Sequence, residues 1–160
     1  MKYRTITLNS TKLIKKHLKV LNDLDHQCFP SDHRYPKIRG EKYGHEGYHV
    51  WWLTYDVDTK KPIAFAGIKV YTKTNNVYFC RVGVIEECRG NQIHSKLLKK
   101  RFDWCRDNDI FYAYTYTSAD NYISINNLVK SGFKICEPWF VVSEWVDILF
   151  FCKKIKRKCT

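Results

Sequence analysis

The run ECRGNQIHSKLLKK, from Glu87 to Lys100, constrains this chain more than any other stretch. It follows the strand-like NVYFCRVGVI, and its Arg-Gly-Asn turn leads straight into a helical pattern, so one tight turn must carry the chain from a sheet onto a helix. The first backbone N–H groups of a helix lack partners within it, and the helix dipole places roughly half a positive charge at that end. Such a junction is a cradle for phosphate, in which Gly90 allows close approach of the main chain and Arg89 adds charge. It is not a Walker loop, which needs GKS or GKT, nor a dinucleotide fingerprint, which needs GxGxxG.

Around this junction the pattern alternates between helix and strand. Ser10 reads as an N-cap, after which Leu13, Ile14, His17, Leu18, Leu21, Leu24 and Cys28 fall on one helical face and Lys12, Lys15, Lys16 and Lys19 on the other. FPSDHRYPKIRGEKYGHEG, with its prolines and glycines, reads as a loop. HVWWLTYD and KPIAFAGIKVYT form a hairpin across DVDTKK, and NVYFCRVGVI follows the turn KTNN. In the helix that the junction opens, Ile93, Leu97, Leu98, Phe102, Trp104 and Cys105 share an apolar arc opposite Lys96, Lys99, Lys100, Asp103 and Arg106; His94 and Arg101 point into that arc. Then come the strand IFYAYTYT, a short helix around SINNLVKSG, and two last strands in FKICEPWF and VVSEWVDILFFCKKI. The predicted order is helix, three strands, helix, strand, helix, two strands, an α/β arrangement.

The chain of 160 residues suits one domain, 1–160, ending in the basic segment KKIKRK and a tail over 153–160. No apolar stretch approaches the ~20 residues that span a bilayer, and MKYRTITLNS lacks the apolar run of a signal peptide, so a soluble, cytoplasmic protein is expected. The seven cysteines are scattered, without CxxC, and the histidines form no ligand pair, which predicts reduced thiols and no metal. A net charge of +12 fits a nucleic-acid partner, an anionic cosubstrate, an acidic partner or solubility alone. Lys outnumbers Arg, whose fork is the better phosphate and base reader, so charge alone does not choose among these.

RVGVIEECRGNQIHSKLL resembles the central signature of the GNAT superfamily of acetyl-CoA-dependent N-acetyltransferases: a Val-Gly-Val strand end, an acidic turn, then Arg-Gly-x-Gly-Ile before paired leucines. NYISINNLVKSGF, from Asn121 to Phe133, is similar to that family's second signature, and CFPSD near the end of the first helix is also similar to many members. The resemblance implies the GNAT fold, a mixed central sheet of six to seven strands flanked by about four helices, and transfer of an acetyl group from acetyl-CoA to an amine on a small molecule or protein. It implies that acetyl-CoA is bound by Val82, Gly83, Val84, Arg89, Gly90, Asn91, Gln92, Ile93 and His94, joined by Asn121 and Ser124. Two alternatives stay open: an acceptor on nucleic acid or aminoacyl-tRNA, and a CoA-binding module without catalysis.

The chain departs from the family pattern at three places. Gln92 and His94 stand where glycine, or glycine and alanine, are usual, and Leu128 stands where many members carry a tyrosine that protonates the leaving thiolate. His94 either touches the cosubstrate or makes a hydrogen bond at the helix base. Amine attack on a thioester needs a neutral nucleophile, an exit for its proton and a donor to the oxyanion. Tyr78 and Tyr122 are candidate catalytic groups by position, with Ser124 a further hydroxyl, while Val82 or a neighbour supplies the oxyanion N–H in the family's manner. A water chain to Tyr78, His45 or His49 would serve as base; Glu86 and Glu87 read as turn formers. The acceptor side falls to FPSDHRYPKIRGEKYGHEGYH and WFVVSEW, with Trp51, Trp52, Trp139 and Trp145 readable as stacking platforms or, more simply, as core; Tyr112, Tyr114 and Tyr116 read as packing.

Overall fold

In the computed structural model, which describes residues 2–30, 48–137 and 147–155, the Ser10 side chain accepts the Leu13 N–H and so caps α1, Thr11–Cys28. Ile14, Leu21 and Leu24 are the buried part of its apolar face, whereas Leu13 stays exposed. A strand precedes it that the sequence analysis did not assign: β1, Tyr3–Leu8, pairs antiparallel with β2, Tyr48–Asp56. The alternation of YRTITL is blurred because this is an edge strand, half covered on both faces, and its existence depends on β2 being there to pair with.

The hairpin forms as expected, β2 turning into β3, Pro62–Tyr71, with Asp56 accepting from the N–H groups of Asp58 and Thr59 at the turn. β4, Asn76–Val84, follows a tight turn in which Asn75 takes a left-handed conformation, φ 51°. A 3-10 turn at Glu86–Cys88 leads to α2, Ile93–Asp107; then come β5, Tyr112–Ser118, α3, Tyr122–Lys130, β6, Lys134–Ile135, and β7, Ile148–Lys154. Among the described residues, seven strands lie in the order β1-β2-β3-β4-β5-β7-β6, and β4–β5 is the one parallel pair. The mixed sheet therefore has the expected number of strands. Three α-helices, against about four expected, occur among the described residues.

α1 and α2 cover opposite faces. On one, Leu21 and Leu24 of α1 pack on Trp51, Leu53 and Phe65. On the other, Ile93, Leu97, Leu98, Phe102 and Cys105 of α2 pack on Ala64, Ala66, Ile68, Val77 and Phe79, with Phe133 and Phe151. Each fully buried Leu, Ile or Phe among them contributes about 2 kcal/mol by leaving water. Trp51 and Trp52 belong to these two cores, which decides them as packing; Trp139 and Trp145 lie outside the described residues.

The basic C-terminal segment begins inside the sheet rather than after it. Lys153 and Lys154 end β7, the Lys153 ammonium donates to the Ser131 carbonyl and stands 4.0 Å from the Phe102 ring centroid, and Ile155 is buried. Residues 156–160 lie outside the described part. No helix among the described residues is long and apolar enough to cross a membrane.

Candidate active site between the splayed strands

β4 and β5 pair over three positions only, Asn76 with Tyr112, Val77 with Ala113 and Tyr78 with Tyr114. The Thr115 hydroxyl donates to the Phe79 carbonyl at 2.9 Å, and past that bond the two strands part. The parting has a local cause on the other edge of β4. There the register with β3 slips between Ala66 and Ile68, so that Cys80 and Arg81 oppose Gly67. A bulge of this kind bends and twists its strand. Gly67 is required at the bulge, since a Cβ there would lie 2.6 Å from the Trp51 ring and 2.8 Å from the Cys80 sulfur.

The gap is a cavity of about 450 Å³. Its walls are β4 from Tyr78 to Val82, β5 from Thr115 to Ser118, His94, Leu98 and Arg101 of α2, and Asn121, Ser124 and Leu128 at α3, with Phe29 and Pro30 at its rim. Of the residues expected to bind cosubstrate, Val82, His94, Asn121 and Ser124 line it, as does the catalytic candidate Tyr78. Tyr78 stacks on Tyr116 with ring centroids 5.5 Å apart. Tyr122, the other candidate, opens α3, is 71% exposed and is not part of the wall. Asn121 also caps α3, accepting the Ser124 N–H at 3.1 Å. Tyr112, Tyr114 and Tyr116 pack ring against ring along one face of β5, Tyr112 on Tyr114 and Tyr116 on Tyr78 and Phe150, with Tyr114 and Tyr116 half-buried and Tyr112 exposed.

Of the remaining expected residues, Gly83 and Val84 end β4, Arg89 to Gln92 form the turn into α2, and Ile93 opens that helix. Gly90 takes φ 81° and Gln92 takes φ 58° with ψ 15°, both left-handed. Glycine tolerates this at no steric cost, whereas Gln92 carries roughly 1 kcal/mol of strain. Gln92 is the N-cap of α2 yet makes no side-chain hydrogen bond to the first turn, which contains no acidic residue. The side chains of Arg89 and Asn91 hold the loop instead: Arg89 Nε donates to the Val84 carbonyl at 3.4 Å and Asn91 Nδ2 to the Cys88 carbonyl at 3.2 Å. The helix end is therefore left open to an anion. Ile93 turns into the core. Gly83 has its own reason to lack a side chain, because a Cβ would meet Phe65 at 2.6 Å and Cys28 at 2.8 Å on the α1 side. Val84 pairs with Ala64 at the end of β4.

Inside the cavity the electrostatics are unusual. Burial, and then the neighbouring Arg101, lower the His94 pKa to about 4, so its imidazole is neutral at pH 7. His49, expected as a possible base, is lowered to about 4 by burial and by Lys69, but does not line the cavity; His45 lies outside the described residues. Arg101, 3% exposed, donates weakly from Nη1 to the Cys80 carbonyl at 3.4 Å and lies 4.5 Å from the Phe79 ring centroid, while its Nε has no partner. Arg81 at the bulge is by contrast paired through Nη2 with Asp25 Oδ2 at 3.2 Å. The family resemblance assigns His94 to the cosubstrate site, whereas Arg101 is readable from the sequence only as part of the apolar arc of α2, since the arc alone does not reveal that part of it faces a gap. No group of three or more His, Cys, Asp and Glu side chains that could hold a metal ion occurs among the described residues.

Known structures share this arrangement over nearly their whole length. An acetyltransferase of the GNAT family from Staphylococcus aureus Mu50 matches with a TM-score of 0.74 and 16% identity, over 97% of this chain and 100% of its own. The ribosomal-protein-S18-alanine N-acetyltransferase of Escherichia coli matches with a TM-score of 0.70 and 13% identity, over 99% and 97%. The spermidine/spermine N-acetyltransferase SpeG of Vibrio cholerae matches at 0.68 and 12%, over 96% and 95%. No curated protein sequence matches the chain. These likenesses speak for the fold, and the sequence itself carries the rest: the profile of the acetyltransferase (GNAT) family matches residues 18–133, from α1 through both signatures, and so the chain belongs to that family.

Proposed function

We propose that this protein transfers an acetyl group from acetyl-CoA to a primary amine. The observation that carries the reading is the continuity between the uncapped start of α2 and the cavity between β4 and β5. In this reading the pyrophosphate of acetyl-CoA lies on the N–H groups of the turn from Gly90 to His94, and the pantetheine arm enters the gap as though it were the missing strand partner of β4. An N–H at or beside Val82, on the edge of β4 that β5 has left, meets the oxyanion.

The proton inventory narrows the chemistry. Leu128 lines the cavity and carries no ionisable group, and His94 is too weak a base at pH 7 to hold a proton for long. In this reading Tyr78, which lines the cavity, passes the proton to the departing sulfur. Tyr122 is too exposed for that part. The amine loses its proton, the C–S bond breaks as the C–N bond forms, and the thiol leaves protonated.

A melting experiment with acetyl-CoA, followed by release of free thiol over a panel of amines, tests this. Acetyl-CoA at about 100 times its dissociation constant raises stability by roughly 2.7 kcal/mol. An unchanged melting temperature at millimolar acetyl-CoA defeats the proposal.

A further inference from the structure

We infer that the inner end of the cavity is a carboxylate-binding site whose counter-ion is the Arg101 guanidinium, the carboxylate being carried either by the acyl group of the CoA thioester or by the amine acceptor. The inference rests on the acyl-transfer reading and narrows its substrate.

Arg101 is the starting point because its environment is unbalanced. It is 3% exposed, lines the cavity, and has only a 3.4 Å bond to a carbonyl and an aromatic face for company. Among the described residues, the ionisable groups around it are the Cys80 and Cys105 thiols, both pushed by burial up to about 12 and hence neutral, and the neutral His94. The acidic side chains in ion pairs among the described residues are engaged elsewhere, Asp25 with Arg81, Asp103 with Lys99 and Arg106, and Asp23 with Lys19. A buried charge without a counter-ion costs several kcal/mol. Its neighbours on the helix, Leu97, Leu98, Phe102 and Cys105, are apolar, so an apolar residue at 101 would have packed at no such cost. A counter-ion that arrives with the ligand removes the imbalance.

Its position says which end of the ligand is met. His94, Leu98 and Arg101 follow one another along the cavity wall, and seven residues of helix rise place Arg101 about 10 Å beyond His94 at the phosphate cradle. That is the inner, reacting end of a chain anchored by its phosphates at the helix start. Arg101 is close to Phe79 and Cys80, where β4 and β5 divide. A planar carboxylate there takes two parallel N–H donors from the guanidinium, and the neutral His94 adds no competing charge. In the reaction the neutral amine attacks the thioester carbon, the C–S bond breaks, and the proton released by the amine ends on the thiol. The carboxylate takes no part in bond making and leaves in the amide product. Arg101 is thus a specificity residue.

The test is calorimetry of the full chain with acetyl-CoA, butyryl-CoA and succinyl-CoA, the last two differing by a terminal carboxylate on a chain of equal length. A companion assay compares turnover of acetyl-CoA with β-alanine and with propylamine, and both are repeated on Arg101→Met and Arg101→Lys. A carboxylate on the donor gives succinyl-CoA at least about tenfold tighter binding than butyryl-CoA. A carboxylate on the acceptor gives β-alanine at least about a tenfold higher kcat/KM than propylamine. Either preference disappears in Arg101→Met and is partly kept in Arg101→Lys. Ligand-free Arg101→Met melts above the parent, because an unpaired buried charge has gone. Parent protein that binds and turns over acetyl-CoA with neither preference overturns this inference alone, whether or not the variants fold. Failure to bind any CoA thioester overturns it together with the acyl-transfer reading.

Discussion

The two ends of the cavity are built from different materials. At the outer end, the turn from Arg89 to His94 presents main chain: two left-handed residues, an uncapped helix start, and side chains that brace the loop. At the inner end, Tyr78, Phe79, Leu98, Arg101, Thr115 and Tyr116 present side chains. A main-chain site tolerates substitution so long as the dihedral angles survive, which is how Gln92 can hold a position that suits glycine. A side-chain site changes chemistry with each residue. The comparison teaches that one end of the cavity depends on backbone geometry and the other on the identity of each side chain.

The largest expected effect tests the outer end. Gly90 has open space around it, with nothing within 4 Å of an added Cβ, but its φ of 81° excludes a branched side chain. Gly90→Val therefore acts through conformation alone and lowers CoA affinity by more than about tenfold in calorimetry of the folded variant. Parent-like binding in Gly90→Val shows that the phosphates are held by something other than this turn.

A middle effect belongs to the buried histidines. His94 and His49 are both lowered from 6.5 to about 4 in the folded protein, so over that window the unfolded chain binds more protons. Their contribution is fully present above pH 6.5 and is lost as pH falls toward 4, on the order of 2 kcal/mol each after allowance for partial exposure. Urea unfolding at pH 7.5, 6.0 and 5.0 follows it, and His94→Gln flattens the part due to the cavity. A stability curve level across this range, or a His94→Gln curve as steep as the parent's, removes the neutral histidine from the cavity wall.

The smallest effect returns to the turn. Gln92→Gly relieves a left-handed backbone but frees the unfolded chain, leaving a net gain of about 0.5 kcal/mol. Its CoA affinity stays within about threefold of the parent if main chain does the binding. A clear loss of affinity instead makes the Gln92 amide a phosphate ligand, and the contrast between the two ends weakens accordingly.

The strong local signals in the sequence were also the ones that held in the fold. Ser10 capped α1, the strands from Tyr48 to Val84 paired as a meander, and Ile93, Leu97, Leu98, Phe102 and Cys105 formed the buried stripe of α2. β1 was missed because an edge strand is defined by its partner more than by its own pattern. Lys153 and Lys154 fall both in the strand pattern VVSEWVDILFFCKKI and in the basic segment KKIKRK, and they end β7, since charge counts carry no information about strand pairing.

The site divides along the same line. By itself the sequence determined a tight glycine-containing turn between β4 and α2 and the family to which the chain belongs, because glycine, a short turn and helical periodicity are local properties of the chain. Only the tertiary structure decided that β4 and β5 part after three pairs, at a bulge whose register depends on β3. With that parting, one stretch of the α2 stripe faces a cavity in place of a sheet. The same helical position that would otherwise bury an aliphatic side chain then holds Arg101, and nothing in the spacing of residues along α2 distinguishes a stripe against a closed sheet from one against an open gap.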